Sequence, residues 1–319
     1  MRTYVVAMGW AALAALFLVA TPSRAGAPDR ALPWSTVEVR APRVEYRTFD
    51  SRVVGAKVSY HAYVPGAYAG TAVRFPVLYW LHGTEGGVTG IRHVARFFDD
   101  AIEAGRVPPM IVVFVNGLPR RLWADSKDGA SPVETVFVTE VIPDVDRVYR
   151  TKPAREGRVL EGFSMGGYGA ARIGFKYPNL FAGISILAGG PFDLEFAGPG
   201  AQRNPALREQ LLREVCANDM AYFRAISPRE ILATGAAAAR AAGTVVRQVV
   251  GRLDATWDLN RRFHERMLEL GVAHEYIEVP GAGHDTRALL EGLGVGNGRF
   301  YRASLGLADR SAEDRNSGK

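Results

Sequence analysis

Val159-Leu160-Glu161-Gly162-Phe163-Ser164-Met165-Gly166-Gly167-Tyr168-Gly169-Ala170 joins a short apolar run to a helix-compatible segment through a G-x-S-x-G sequence. A serine between two such glycines can occupy a sharp strand-to-helix turn that pushes its hydroxyl into a cleft. The flanking glycines matter because a Cβ at either position would crowd the chain passing close by. The same turn brings the backbone N–H of Met165, at a helix N-terminus, to the place where an oxyanion would form. A serine nucleophile needs these features, although a glycine-rich turn without chemistry can carry the same pattern.

Outward from this turn, strand and helix signals alternate. Phe75 to Leu81 and Ile111 to Val115 are continuous apolar runs, ending in His82-Gly83 and Asn116-Gly117. Such runs indicate strands buried on both faces, hence a parallel sheet covered by helices. Val94 to Ala104 reads as the crossover helix between them, and Thr135 to Val141 is helix-like. Gly183 to Ala188, Thr244 to Val250 and Glu275 to Val279 continue the strands. Leu259, Phe263, Met267 and Leu270 share one helical face, which Gly271 ends. Val37 to Val44 and Lys57 to Val64 read as two earlier strands with turn residues Asp50, Ser51 and Gly55 between them. The pattern predicts an α/β fold, a doubly wound, mostly parallel sheet with helices on both faces. Residues 190–243 break the rhythm with Pro191, Pro199 and Pro205, then helical stretches and an alanine-rich run. They read as a helical insertion placed to act as a lid or substrate wall, or as a packed excursion.

A serine hydroxyl is a poor nucleophile until a base takes its proton, so a histidine and a carboxylate are required downstream. The run to Val250 leads into Gly251-Arg252-Leu253-Asp254, and the run to Val279 leads into Pro280-Gly281-Ala282-Gly283-His284-Asp285. The order Ser164, Asp254, His284 is the one an α/β-hydrolase requires, and all three follow strands at one sheet edge. Asp258, Asp285 and Glu278 are rival acids: Asp258 suits capping a helix near Leu259, Asp285 adjoins the histidine awkwardly, and Glu278 points sideways from a strand. The second oxyanion donor is expected in His82-Gly83-Thr84-Glu85-Gly86-Gly87, from the N–H of Thr84 with Gly83 as the alternative, and His82 as a structural residue of that loop. His61, His93, His264 and His274 show no metal-ligand spacing, and no metal or dinucleotide motif is present, so no cofactor is expected.

The first 25 residues read as a secretory signal peptide: Arg2, an apolar Val5 to Ala20, then Ser23-Arg24-Ala25 with small residues at the cleavage site. The apolar run is short for a membrane span and Thr21-Pro22-Ser23 breaks it, so no stable anchor is expected after cleavage, and the location is secreted or periplasmic. Residues 26–35 then form a flexible lead, 36–302 the catalytic domain and 303–319 a disordered polar tail. Of 319 residues 48% are hydrophobic and 23% charged, an ordinary globular composition. Loss of Arg2 and Arg24 would lower the formal charge from +6 to +4, and no basic run is present, so nucleic acid is not an expected partner. Cys216 is the single cysteine, so no internal disulfide can form; its amphipathic surroundings suit a buried, inert thiol.

With these residues in place, the chain resembles exported members of the esterase D and feruloyl esterase-like family of α/β-hydrolases. The likeness runs from about Ser59 to Asp285. It rests on Pro76 to Gly83, Glu140 to Asp146, Tyr149-Arg150-Thr151, Gly162 to Ala170, Tyr177 to Phe181, Gly251 to Asp254 and Gly281 to Asp285. The resemblance implies a cofactor-independent serine carboxylic ester hydrolase acting on a small-molecule or carbohydrate-linked ester. It also implies a loop near the site that contains Trp123, Asp125 and Asp128 as substrate contacts, against the reading of a solvated surface loop. Two rival functions share the scaffold: an acyltransferase of the mycolyltransferase kind, passing the acyl group to a sugar or other alcohol, and a catalytically inactive binding protein.

Overall fold

The computed structural model describes residues 32–189, 205–294 and 296–308. The predicted signal peptide, residues 190–204 of the predicted insertion and most of the predicted tail lie outside them. Strands β1 (Val44–Asp50), β2 (Lys57–Tyr63), β3 (Val77–Leu81), β4 (Ile111–Val115), β5 (Arg158–Phe163), β6 (Gly183–Leu187), β7 (Val245–Gly251) and β8 (Glu275–Val279) form one sheet in the order β1-β2-β4-β3-β5-β6-β7-β8. β1 and β2 pair antiparallel, as do β2 and β4, and every later pairing is parallel. From β3 the chain moves outward to β4 and then returns to β5 on the other side, so the topological switch point lies between β3 and β5. Ligands of open α/β sheets bind beyond the carboxyl ends of strands at such a point.

The helices follow from the need to cover both faces. They are α1 (Ile91–Glu103), α2 (Val133–Val136), α3 (Ile142–Val148), α4 (Met165–Lys176), α5 (Pro205–Cys216), α6 (Met220–Ala225), α7 (Pro228–Ala241), α8 (Trp257–Glu269), α9 (Thr286–Gly292) and α10 (Gly296–Ser304). A π-helical turn, Phe137–Val141, joins α2 to α3. Successive strand side chains alternate between the faces. Val77, Tyr79 and Leu81 of β3 pack with Val136, Ile142 and Tyr168, while Leu78 and Trp80 pack with Ile91, Phe98 and Leu290. This two-sided burial explains why β3 and β4 read as unbroken apolar runs.

Three sequence expectations are altered. The strand expected at 37–44 begins instead at Val44 and runs to Asp50, because both edges of β2 are taken, one by β1 and the other by β4. The chain before it is tied by single bonds: Thr36 N to Ser59 Oγ and Val39 N to His61 Nε2. The lead is packed at its end, where Trp34 is buried and Asn116 Nδ2 donates to the carbonyls of Pro33 and Trp34. Within the expected insertion, α7 is the crossover that two parallel neighbours, β6 and β7, cannot do without. It packs against α4 and α8 through Leu232, Ala236 and Ala239, and α5 and α6 add Leu211, Val215 and Phe223 to the core. The described part of 190–243 is thus built into the body. Cys216 is buried there, and burial pushes its thiol up to about 12.

Candidate active site

Ser164 sits between β5 and α4 with φ 58 and ψ −119, a conformation that side chains other than glycine rarely adopt. Such strain costs on the order of 1–3 kcal/mol and persists only where the surroundings impose it. Here they do. The Ser164 N–H donates to Leu187 O at 2.9 Å. A Cβ on Gly162 would lie 2.2 Å from Gly166 O, and one on Gly166 would lie 1.9 Å from Leu81 O. Glycine at these two positions is therefore a steric requirement of the turn.

Asp254 and His284 come from the loops after β7 and β8; His284 reaches Ser164, and Asp254 reaches His284. His284 Nε2 lies 2.9 Å from Ser164 Oγ, and His284 Nδ1 lies 2.8 Å from Asp254 Oδ2. With Nδ1–H donating to the carboxylate, Nε2 is free to accept from the hydroxyl. The loops meet because Gly251 has no side chain: a Cβ there would fall 2.3 Å from Ala282 O. Phe163 packs its ring on the imidazole, centroids 4.7 Å apart. Asp254 Oδ1 accepts from Thr256 N and Oγ1 at 2.7 and 2.9 Å, which leaves Oδ2 for His284. Burial raises the Asp254 pKa, but the bonds from His284 and Thr256 outweigh it and hold the carboxyl below its ordinary value. The aspartate stays ionised beside the imidazole.

The rival acids are engaged elsewhere. Asp285 Oδ1 caps α9 by accepting from Ala288 N at 2.7 Å. Asp258 stands in the first turn of α8, paired with Arg261 and Arg262. Glu278 accepts from Trp257 Nε1 at 2.7 Å and pairs with Arg252. His264 and His274 bond each other at 2.7 Å, remote from this chemistry.

On the other side of Ser164 runs the loop after β3. The buried His82 ring donates from Nδ1 to Gly83 O at 2.6 Å and accepts at Nε2 from Gly117 N at 3.0 Å. Burial lowers its pKa to about 4, so the ring is neutral and can serve both partners. In a trans peptide the C=O and N–H point in opposite directions. Fixing Gly83 O toward His82 therefore turns the Thr84 N–H away from that ring. Gly83 lies beside the nucleophile: a Cβ added there would stand 3.5 Å from Ser164 Cβ. Met165 is the first residue of α4, where an N–H has no partner within the helix.

None of Trp123, Asp125 and Asp128 is among the residues lining the cleft, which corrects their reading as substrate contacts. Trp123 is buried and Asp125 half-buried, against the surface-loop reading, whereas Asp128 is exposed, as that reading has it. Trp123 is fully buried, its Nε1 donating to His82 O at 3.2 Å and its ring 4.8 Å from the imidazole. It is wedged between Gly117 and Gly169, where an added Cβ would fall 2.4 Å from its ring in either case. Asp125 accepts from Thr135 N and Oγ1 at 3.0 and 2.6 Å, and Asp128 accepts from Ser126 Oγ and Ala130 N. Of the three, Trp123 supports His82 directly, and the two aspartates fix turns of their own loop. Sequence reasoning missed what clamps this loop to α4: buried Arg172 donates to Trp123 O at 3.1 Å and Ile226 O at 2.9 Å and pairs with buried Glu134. An arginine in the middle of a helix carries no motif, and its partners come from distant segments.

Ser164 and His284 open onto a cleft of ≈ 640 Å³ whose walls include Trp80, Thr84, Phe163 and Thr286. The sheet order, the strained serine turn and the loops converging on it define an α/β-hydrolase. A family model described as "Putative esterase" matches residues 51–225, and the chain belongs to this esterase family. Over 204 residues, 57% of this chain and 27% of the relative, it is 30% identical to an endo-1,4-beta-xylanase/feruloyl esterase of Xylanibacter ruminicola. It is also 30% identical over 155 residues, 46% of this chain and 32% of the relative, to an esterase of Mycobacterium tuberculosis. The matched stretch thus spans a third or less of these curated relatives. Among solved structures, a ferulic acid esterase superposes with a TM-score of 0.65 at 23% identity, covering 82% of this chain and 98% of that one. An S-formylglutathione hydrolase from Agrobacterium tumefaciens does so with a TM-score of 0.65 at 16% identity, covering 82% and 95%. These likenesses are of fold.

Proposed function

We propose that this chain is an exported serine carboxylic ester hydrolase working through an acyl-enzyme on Ser164. The observation that carries the reading is the relay from Ser164 Oγ through His284 to Asp254, with spacings of 2.9 and 2.8 Å, at a strained turn opening into a cleft. Ser164 Oγ attacks the ester carbonyl carbon while His284 Nε2 takes its proton. The N–H groups of Met165 and Thr84 donate to the oxyanion, and Asp254 stabilises the imidazolium. The tetrahedral intermediate collapses as His284 returns the proton to the leaving alcohol. Water, deprotonated by the same imidazole, then releases the acid and regenerates Ser164.

Membership of the esterase family supports the reaction. The likeness to an endo-1,4-beta-xylanase/feruloyl esterase and to a ferulic acid esterase puts hydroxycinnamoyl esters first among substrates to try. The segment from Arg2 to Ala25 supports export, and among the described residues no helix is long and apolar enough to cross a membrane. The test is labelling with a fluorophosphonate probe beside turnover of a p-nitrophenyl ester. Ser164→Ala is expected to abolish labelling and lower turnover by about 10⁴-fold or more. A folded Ser164→Ala protein retaining most of the activity would remove the nucleophile from the proposal.

A further inference from the structure

The Ser164 cleft continues past the triad. His93 and Arg287 line it, and the same two residues line a second hollow of ≈ 530 Å³ with Arg96 and Arg106. The two hollows adjoin at these shared residues, so that Arg287 stands at the end of the Ser164 groove where α1 and α9 meet. Arg287 is exposed and makes no hydrogen bond or ion pair with any described residue. His93 Nε2, also in the shared wall, is sealed from solvent without a partner among the described residues. Arg96 pairs with Asp100 at 3.6 Å, and Arg106 reaches only the Asp100 carbonyl, at 3.5 Å. The outer hollow therefore holds three arginines against the carboxylates of Asp100 and Glu291. Nearer Ser164 the acids are Glu85 and Asp285, the latter turned to cap α9.

The direction of the groove decides which half of an ester it would receive. A leaving oxygen has to take a proton from His284 Nε2 and so lies beside that ring. Thr286 and Arg287 continue the wall directly from His284. The alcohol half is the half that runs toward Arg287. An unpaired guanidinium offers a forked set of donors that suits a carboxylate.

We propose that this groove is an alcohol-side subsite in which Arg287 receives a carboxylate, so that the enzyme favours esters whose alcohol portion is anionic. The inference rests on the serine-esterase reading above and adds the substrate class. Because Arg287 is exposed, solvent and salt weaken the contact, and the effect on selectivity is about three- to tenfold.

Two matched pairs test it: 4-acetoxybenzoate with its methyl ester, and 3-(4-acetoxyphenyl)propanoate with its methyl ester. The readout is the change on mutation in the ratio of kcat/KM, anionic over neutral, because the paired phenols differ as leaving groups. Arg287→Gln is expected to lower the ratio about three- to tenfold for at least one pair, and Arg287→Glu to lower it further. In about 0.5 M NaCl the wild-type ratio should move toward that of Arg287→Gln. Arg52→Gln, an equal change in net charge outside the groove, serves as the control. Ratios unmoved in both Arg287 variants, or an equal fall in Arg52→Gln, overturn the subsite while leaving Ser164-dependent hydrolysis intact. Hydrolysis of the neutral esters that survives Ser164→Ala would instead sink the underlying esterase reading.

Discussion

Replacing His82 with asparagine perturbs the one side chain that links the end of β3, the loop after β4 and the peptide beside Ser164. Burial holds its pKa at about 4 instead of 6.5. The unfolded chain therefore takes a proton at His82 below pH 6.5, whereas the folded chain resists until about pH 4. Its contribution to stability is present above pH 6.5, declines as pH falls between these values and is lost below the lower one. The full difference is roughly 3 kcal/mol, with a mid-window slope of about 1.4 kcal/mol per pH unit. His61, also held at about 4 by burial and accepting a bond from Val39 N, acts in the same direction. Burial lowers the pKa of His93, His264 and His274 as well, so all add to the same fall, and His82→Asn should reduce the wild-type slope around pH 5 by about 1.4 kcal/mol per pH unit.

Urea unfolding followed by tryptophan fluorescence between pH 4.5 and about 7.5 measures both slopes. A second readout separates positioning from stability. With the Gly83–Thr84 peptide released, kcat at neutral pH should fall by about 10²–10³-fold, the usual cost of losing one oxyanion donor, while KM changes far less. A variant with the wild-type pH slope would refute the claim that the ring is held neutral. A variant with wild-type kcat would refute its hold on the Thr84 N–H.

Two further outcomes follow from the same geometry. Asp254→Asn should lower kcat by about 10³–10⁴-fold, because the amide cannot hold Nδ1–H and stabilise the imidazolium, whereas Asp258→Asn should stay within about twofold. The reverse ranking in steady-state kinetics would reassign the acid. Gly169→Ala should destabilise the protein by about 1–3 kcal/mol in urea unfolding, although alanine is the better helix former, since the new methyl would meet the Trp123 ring. An unchanged or raised midpoint would show that the ring has room to move.

Much of this was legible because its causes are local. The glycines at 162 and 166 are demanded by backbone passing close to the serine turn, and a short motif records that demand. The buried runs at 77–81 and 111–115 have to be apolar on every side chain, which marks a covered parallel strand without any knowledge of its neighbours. Asp254 and His284 stood out because each follows a strand signal within a few residues. The extended segment at 37–43 was misjudged for the opposite reason: its pattern suits a strand, but whether a sheet edge is free to receive it depends on β1 and β4. Trp123 was misjudged in the same way, since nothing near it in sequence shows that two glycines, 52 residues apart, leave it a slot.

The sequence by itself determined the fold class and the chemical type of each residue beside the serine, because strand burial, tight turns and the order of nucleophile, acid and base follow from short-range patterns. Only the tertiary structure decided which carboxylate faces the imidazole, what holds the Gly83–Thr84 peptide, and where the cleft leads. Each of these depends on distances between loops that the chain brings together from far apart. Asp254, Asp258, Glu278 and Asp285 are alike as residues near strand ends. They differ in the partner each one meets: Thr256 and His284, two arginines, Trp257 and Arg252, or the first turn of α9.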